Sequence, residues 1–170
     1  MVIGTGIFVD DARALAEFLN HPDARLRLAT ASAIVELTGR DPAALSEQSL
    51  AWAEGALSDR SSEIRSSAVA ALGDAGNKVV PLLQRVLIGD SEPAVRRAAA
   101  RALSRRQDSD ALRALHLGLT DGNADVRKET LRGIERVGTQ LRSRGDSKVL
   151  DEVKSWLTPL FSSKNLDEQI

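Results

Sequence analysis

The sequence has no cysteine and no tyrosine, and its only aromatics are Phe8, Phe18, Trp52, Trp156 and Phe161. Lack of cysteine excludes disulfides and thiolate metal sites and fits a reducing compartment. So few aromatics, spread so widely, cannot build a stacking channel for nucleic-acid bases; Trp52 and Trp156 read as core or cap residues. No apolar run approaches the roughly 18 residues that a membrane span needs. Residues 1–11 lack a basic segment and a long apolar stretch, so no signal peptide is expected and the location expected is cytoplasmic. The two histidines, His21 and His116, have no ligand spacing around them. His21 reads as a helix-end residue and His116 as an ordinary outer-helix residue. Gly4-Thr5-Gly6 lacks the lysine of a phosphate loop. No catalytic residue, metal or cofactor is expected.

What the chain does contain is alanine, leucine and valine, a composition suited to closely packed helices rather than a sheet. Its 42% apolar and 28% charged residues are ordinary for a folded domain, and 170 residues are enough for one sizeable core. The net charge of −1 hides an asymmetry: residues 91–144 hold 12 Lys and Arg against 7 Asp and Glu, a local balance of +5.

One motif recurs four times, as Leu26-Arg27, Ile64-Arg65, Val95-Arg96 and Val126-Arg127. Six residues before the arginine stands Asp59, Asp90 or Asp121 in the last three copies, and His21 in the first. Eight residues after each aliphatic come Ile34, Leu72, Leu103 and Ile134; seven before come Leu19, Leu57, Ile88 and Leu119. The 31-residue interval between the later copies predicts stacked two-helix units. The first interval is 38 residues, and the extra seven are about two helical turns. A longer outer helix in the second repeat absorbs them in register.

Capping residues place the elements. Asp10 or Asp11 opens an outer helix with Leu15, Phe18 and Leu19 on its apolar face. Asn20-His21-Pro22 breaks it, and the next helix stops at Gly39. Asp41-Pro42, Ser61 or Ser62, Pro81 and Ser91-Glu92-Pro93 open later helices. The predicted fold is all-α: a right-handed α-solenoid of four helix pairs (about 9–38, 41–76, 77–107 and 108–138). Gly138 to Asp146 is predicted as a loop, and 148–160 as a helix capping the stack. One domain thus spans 1–162, followed by a tail at 163–170 that frays.

The stretch 90–103, Asp-Ser-Glu-Pro-Ala-Val-Arg-Arg-Ala-Ala-Ala-Arg-Ala-Leu, resembles HEAT repeats, in particular the HEAT-like repeats of the phycobilin-lyase type, as does 121–127. The resemblance covers about 9–138. It implies an Asp–Arg ladder tying repeats together, which makes Asp59, Asp90, Asp121, Arg27, Arg65, Arg96 and Arg127 structural. The first repeat departs from the pattern, with His21 where the others have aspartate. The resemblance also implies that the second helix of each pair lines a concave surface.

Helical phase supplies the binding candidates. Positions two, six and ten after the key aliphatic fall opposite the packed stripe. In the third repeat these are Arg97, Arg101 and Arg105; in the fourth, Lys128, Arg132 and Arg136. The earlier repeats have Leu28, Ser32 and Glu36, then Ser66, Ala70 and Asp74. Like charges at this spacing cost a helix about 0.2–0.5 kcal/mol per neighbouring pair, so the basic grid points to use. Glu129 and Glu135 lie near enough to neutralise part of it. The leading expectation is a scaffold binding a protein with an acidic segment. A nucleic-acid binder on the same patch and a bilin-lyase-like subunit are the alternatives, the latter resting on the resemblance alone.

Overall fold

Proline in the first turn, or an acidic or amide cap before it, marks the start of four of the helices. The computed structural model describes residues 17–39, 54–73, 79–106 and 108–162. Its helices are α1 (Ala24–Gly39), α2 (Ser62–Leu72), α3 (Val80–Gly89), α4 (Pro93–Ser104), α5 (Ser109–His116), α6 (Ala124–Ser143) and α7 (Ser147–Ser162). Residues 54–57 are also helical, and 3-10 turns at Glu17–Asn20 and Leu117–Thr120 precede α1 and follow α5. No strand occurs among the described residues.

Pro81 and Pro93 sit in the first turns of α3 and α4, where a missing N–H costs nothing. Asp108 caps α5 by accepting the Ala111 N–H at 2.7 Å. Asn123 caps α6 by accepting from Asp125 and Val126.

The second helices of successive repeats, α1, α2, α4 and α6, pack one on the next. The first helices form another layer, with α3 against α4 and α5, and α5 against α6. This two-layer stepping is an α-solenoid. The shared core holds Leu72, Leu83, Leu87, Val95, Leu103, Leu112, Leu115, Val126, Ile134 and Val137, all nearly or fully buried. Gly133 lets α6 approach closely: a Cβ there would lie 3.0 Å from Leu115 and 3.1 Å from the Ser104 Cβ.

Several expectations are corrected. The loop predicted from Gly138 onward is instead the last two turns of α6. Val137 and Leu141 continue the buried stripe, and a helix interior tolerates Gly138. The real stop is Gly145, at φ +83°. Its N–H reaches the Arg142 carbonyl at 3.0 Å and the Asp146 N–H reaches the Leu141 carbonyl at 3.2 Å, a Schellman closure. Neither Ser61 nor Ser62 caps α2 through its side chain: Asp59 accepts the Ser61 N–H at 2.8 Å instead. His116 stacks on Trp156, ring centroids 4.5 Å apart, so it joins α5 to α7. Leu26 is 43% exposed, unlike its buried counterparts Ile64, Val95 and Val126. The expected outer helix of the first repeat before Glu17, most of that of the second, Trp52 and the tail lie outside the described residues.

Candidate functional site

Each motif arginine sits in the first turn of a second-layer helix and makes two kinds of bond. Its Nη1 turns back to the carbonyl six residues earlier: Arg27 to His21, Arg65 to Asp59, Arg96 to Asp90 and Arg127 to Asp121, each at 2.8 Å. In the first three, Nε and Nη2 turn forward to a carboxylate in the following repeat. Arg27 meets Asp59, Arg65 meets Asp90 and Arg96 meets Asp121, with Nε–Oδ2 distances of 2.7 Å in all three. A guanidinium is the only side chain whose planar fork serves both directions at once.

The aspartates are equally committed. Besides the arginine, Asp59, Asp90 and Asp121 accept the backbone N–H two residues on, from Ser61, Glu92 and Asn123, at 2.8–2.9 Å. The arginine holds the Asp59 and Asp121 carboxyls below the usual carboxylate range against the opposing cost of burial. For Asp90 burial is the larger single influence and pushes upward. Arg65, the Glu92 N–H and Arg96 together outweigh it, so this carboxyl too is lowered. Six of the seven motif residues therefore pair across three repeat boundaries, and Arg127 bonds the turn of its own repeat. His21 breaks no rung, because the first repeat's arginine points forward to Asp59 and the carboxylate it needs lies in the second repeat. The partner of the Arg96 fork is likewise Asp121, while Asp90 offers Arg96 only its carbonyl.

The basic grid is exposed on α4, its C-cap and α6: Arg97, Arg101, Arg105, Lys128, Arg132 and Arg136 all lie at the surface. The six are not alike. Arg101 pairs with Glu129 of the next helix, Nε–Oε1 and Nη2–Oε2 both 3.3 Å. Arg105 donates Nη2 to the Ala70 carbonyl of α2 at 2.8 Å, with its guanidinium over Gly73. Arg97, Lys128, Arg132 and Arg136 make no ion pair among the described residues. Glu129 is thus engaged in crossing a seam between helices. Glu135 lines the groove between α6 and α7, as does Arg132 at the edge of the grid. At the matching positions of the earlier repeats Leu28 and Ser66 are half-buried and Ala70 is exposed; Asp74 and the side chains of Ser32 and Glu36 lie outside the described residues.

Phase reasoning missed two features. Arg106 is buried at the end of α4, its Nη1 3.4 Å from the Gly73 carbonyl and its Nε 3.5 Å from Asp108. Its place on the packed stripe was visible, but a buried arginine there needs a fold to show what it bridges. The other is the groove of about 450 Å³ between α6 and α7, walled by Leu131, Ile134, Val153 and Leu157. Among the described residues no group of three or more His, Asp or Glu side chains converges as a metal site would, and no helix is long and apolar enough to cross a membrane.

A family model of HEAT repeats matches residues 49–135. No curated protein matches the sequence. Among solved structures, the complex of CpcE and CpcF of phycocyanin lyase from Nostoc sp. PCC7120 is similar at a TM-score of 0.52 and 19% identity, over 79% of this chain and 88% of that one. An engineered protein is similar at a TM-score of 0.54 and 18% identity, over 87% of this chain and 73% of that one. At such identities the likeness is one of fold.

Proposed function

Because the chain belongs to the HEAT-repeat family, we propose that it is a non-enzymatic scaffold holding a protein partner across the second-layer helices of its third and fourth repeats. The single observation behind this reading is the exposed grid of Arg97, Arg101, Arg105, Lys128, Arg132 and Arg136 on a chain whose net charge is −1. Of the motif arginines, Arg27, Arg65 and Arg96 are engaged in holding successive repeats together. Within the grid, Arg101 and Arg105 also bridge second-layer helices, while Arg97, Lys128, Arg132 and Arg136 make no ion pair among the described residues and keep like charges on two helix faces. An acidic segment laid along the concave face would be steered to this end of the groove and held in register there.

A protein partner is also in keeping with the Nostoc structure, which is a complex of two proteins of a lyase. A lyase-like subunit is the second reading, and it draws on that shared fold. A nucleic-acid partner has the same charges in its favour, and the scarcity of aromatics against it.

Affinity capture with wild type and with an Arg97→Glu/Arg136→Glu variant, followed by mass spectrometry, tests the reading. A partner retained by wild type and depleted at least about tenfold, roughly 1.4 kcal/mol, by the variant is expected. Equal capture by both overturns the use of the grid. Titration with labelled duplex DNA separates the alternatives: six engaged cations would give a log–log salt slope of about −5, and such a slope at micromolar affinity would replace the protein partner with nucleic acid.

A further inference from the structure

The 31-residue period makes α6 the successor of α4, so each residue on α6 has a counterpart whose surroundings are known. Ala100 and Ser104 form the flank of α4 that faces forward along the stack. Both are buried, at 0% and 3% exposure, and Ser104 lies under Gly133 of α6. Their counterparts on α6 are Leu131 and Glu135. Leu131 is 45% exposed and Glu135 is exposed, so the forward flank of α6 has no helix over it among the described residues.

Helix α7 does not fill that position. It is bound to α5 by the His116–Trp156 stack and by Arg113, whose Nε and Nη2 meet Glu152 at 3.1 Å. Arg85 of α3 meets Glu54 in the same manner, first-layer helix to first-layer helix. Packed on α6 and tied by these side chains to α5, much as α5 packs on α4 and meets α3, α7 takes the place of the next first-layer helix, and the second-layer place beside it is the groove of about 450 Å³.

The groove differs from the internal seams in a way that identifies its occupant. Between α4 and α6 the seam uses Ser104 and Gly133, residues so small that the helices nearly touch. Leu131 and Glu135 hold a neighbour farther off, offering a broad apolar contact with Val153 and Leu157 and a charged edge. Charge completes the pattern. Arg132 is the counterpart of Arg101, which takes Glu129 of the next helix, and Glu135 stands where a small residue met Gly133.

We propose that this groove is a docking site for an amphipathic α-helix of another protein, seated as the missing second-layer helix. The docked helix bears a carboxylate against Arg132 and, four residues later, a lysine against Glu135. Its apolar stripe lies on Leu131, Val153 and Leu157. This site stands apart from the grid function, sharing with it only Arg132.

The probe is a C-terminally amidated, tetramethylrhodamine-labelled peptide with the sequence of residues 124–143 carrying Lys128→Gln, Arg132→Gln, Arg136→Gln and Gly133→Lys, titrated against the full chain by fluorescence anisotropy. Its Glu129 and the lysine introduced by Gly133→Lys supply the two charges, and it has no net charge to draw it to the grid. Saturable micromolar binding is expected, weakened at least about tenfold (1.4 kcal/mol) by Leu131→Glu in the protein or by Glu129→Gln in the peptide. Arg97→Glu/Arg136→Glu in the protein should leave binding unchanged, which separates this site from the grid. No binding to wild type, or equal binding to Leu131→Glu, overturns the proposal. At least about tenfold tighter binding (1.4 kcal/mol) to a Leu166→Ser/Ile170→Ser variant would make the chain's own end the occupant, against the proposal. Self-association in sedimentation that Leu131→Glu abolishes would make it a second copy, and would overturn the proposal equally.

Discussion

The Arg96 guanidinium lies alongside the Asp121 carboxylate, Nε to Oδ2 at 2.7 Å and Nη2 to Oδ1 at 2.9 Å, while its Nη1 reaches back 2.8 Å to the Asp90 carbonyl. One side chain thereby joins the turn of its own repeat to the turn of the next. Repeat proteins derive their cooperativity from such neighbour-to-neighbour contacts, since no repeat touches any beyond its neighbours.

Arg96→Ala is expected to lower stability by about 2–4 kcal/mol, because it strips a mostly buried carboxylate of its partner. Arg96→Lys should recover little of this, as an ammonium cannot serve both directions. Arg97→Ala, one residue away and exposed, should stay within about 0.5 kcal/mol of wild type. Urea titrations of the three variants check the contrast.

Leu103 is fully buried beneath both layers. Leu103→Ala should cost about 2–5 kcal/mol, as large-to-small core changes usually do. A change below about 0.5 kcal/mol in the same titration would contradict this packing.

Two glycines should respond in opposite directions. Gly138 lies inside α6 with open space where a Cβ would go, so Gly138→Ala should stabilise by about 0.4–1 kcal/mol. Gly145 holds the left-handed turn at φ +83°, and Gly145→Ala should destabilise by about 1 kcal/mol. Thermal melts of the pair test where α6 ends.

The lowered carboxyls predict an acid response. A carboxylate whose folded pKa lies below its unfolded value stabilises the fold above the unfolded value of about 4 and loses that contribution as pH falls toward the folded one. Asp59, Asp90 and Asp121 all shift in this direction. The contribution of these three carboxylates should therefore be lost below about pH 4, and the urea midpoint should fall there. Asp121→Asn should lower the midpoint at neutral pH and flatten the acid slope.

The repeat, the helical class, the core positions Leu72, Leu103 and Ile134, and the outward phase of the grid were legible in the sequence. They depend on periodicity, and a period is a property of the chain alone. The direction of the ladder was not. Asp90 precedes Arg96 by six residues, yet the arginine chooses Asp121, 25 residues on, because stacking brings the next turn closer to the guanidinium fork than its own carboxylate. The end of α6 was misplaced for a related reason. Gly138 and Gly145 are alike in sequence, and only the burial of Leu141 between them tells which one the helix runs through. The exposure of Leu131 likewise follows from what packs beside α6. Sequence determined which faces each helix offers; tertiary packing alone decided which of those faces found a neighbour, because burial and bidentate pairing depend on distances between helices that no local pattern encodes.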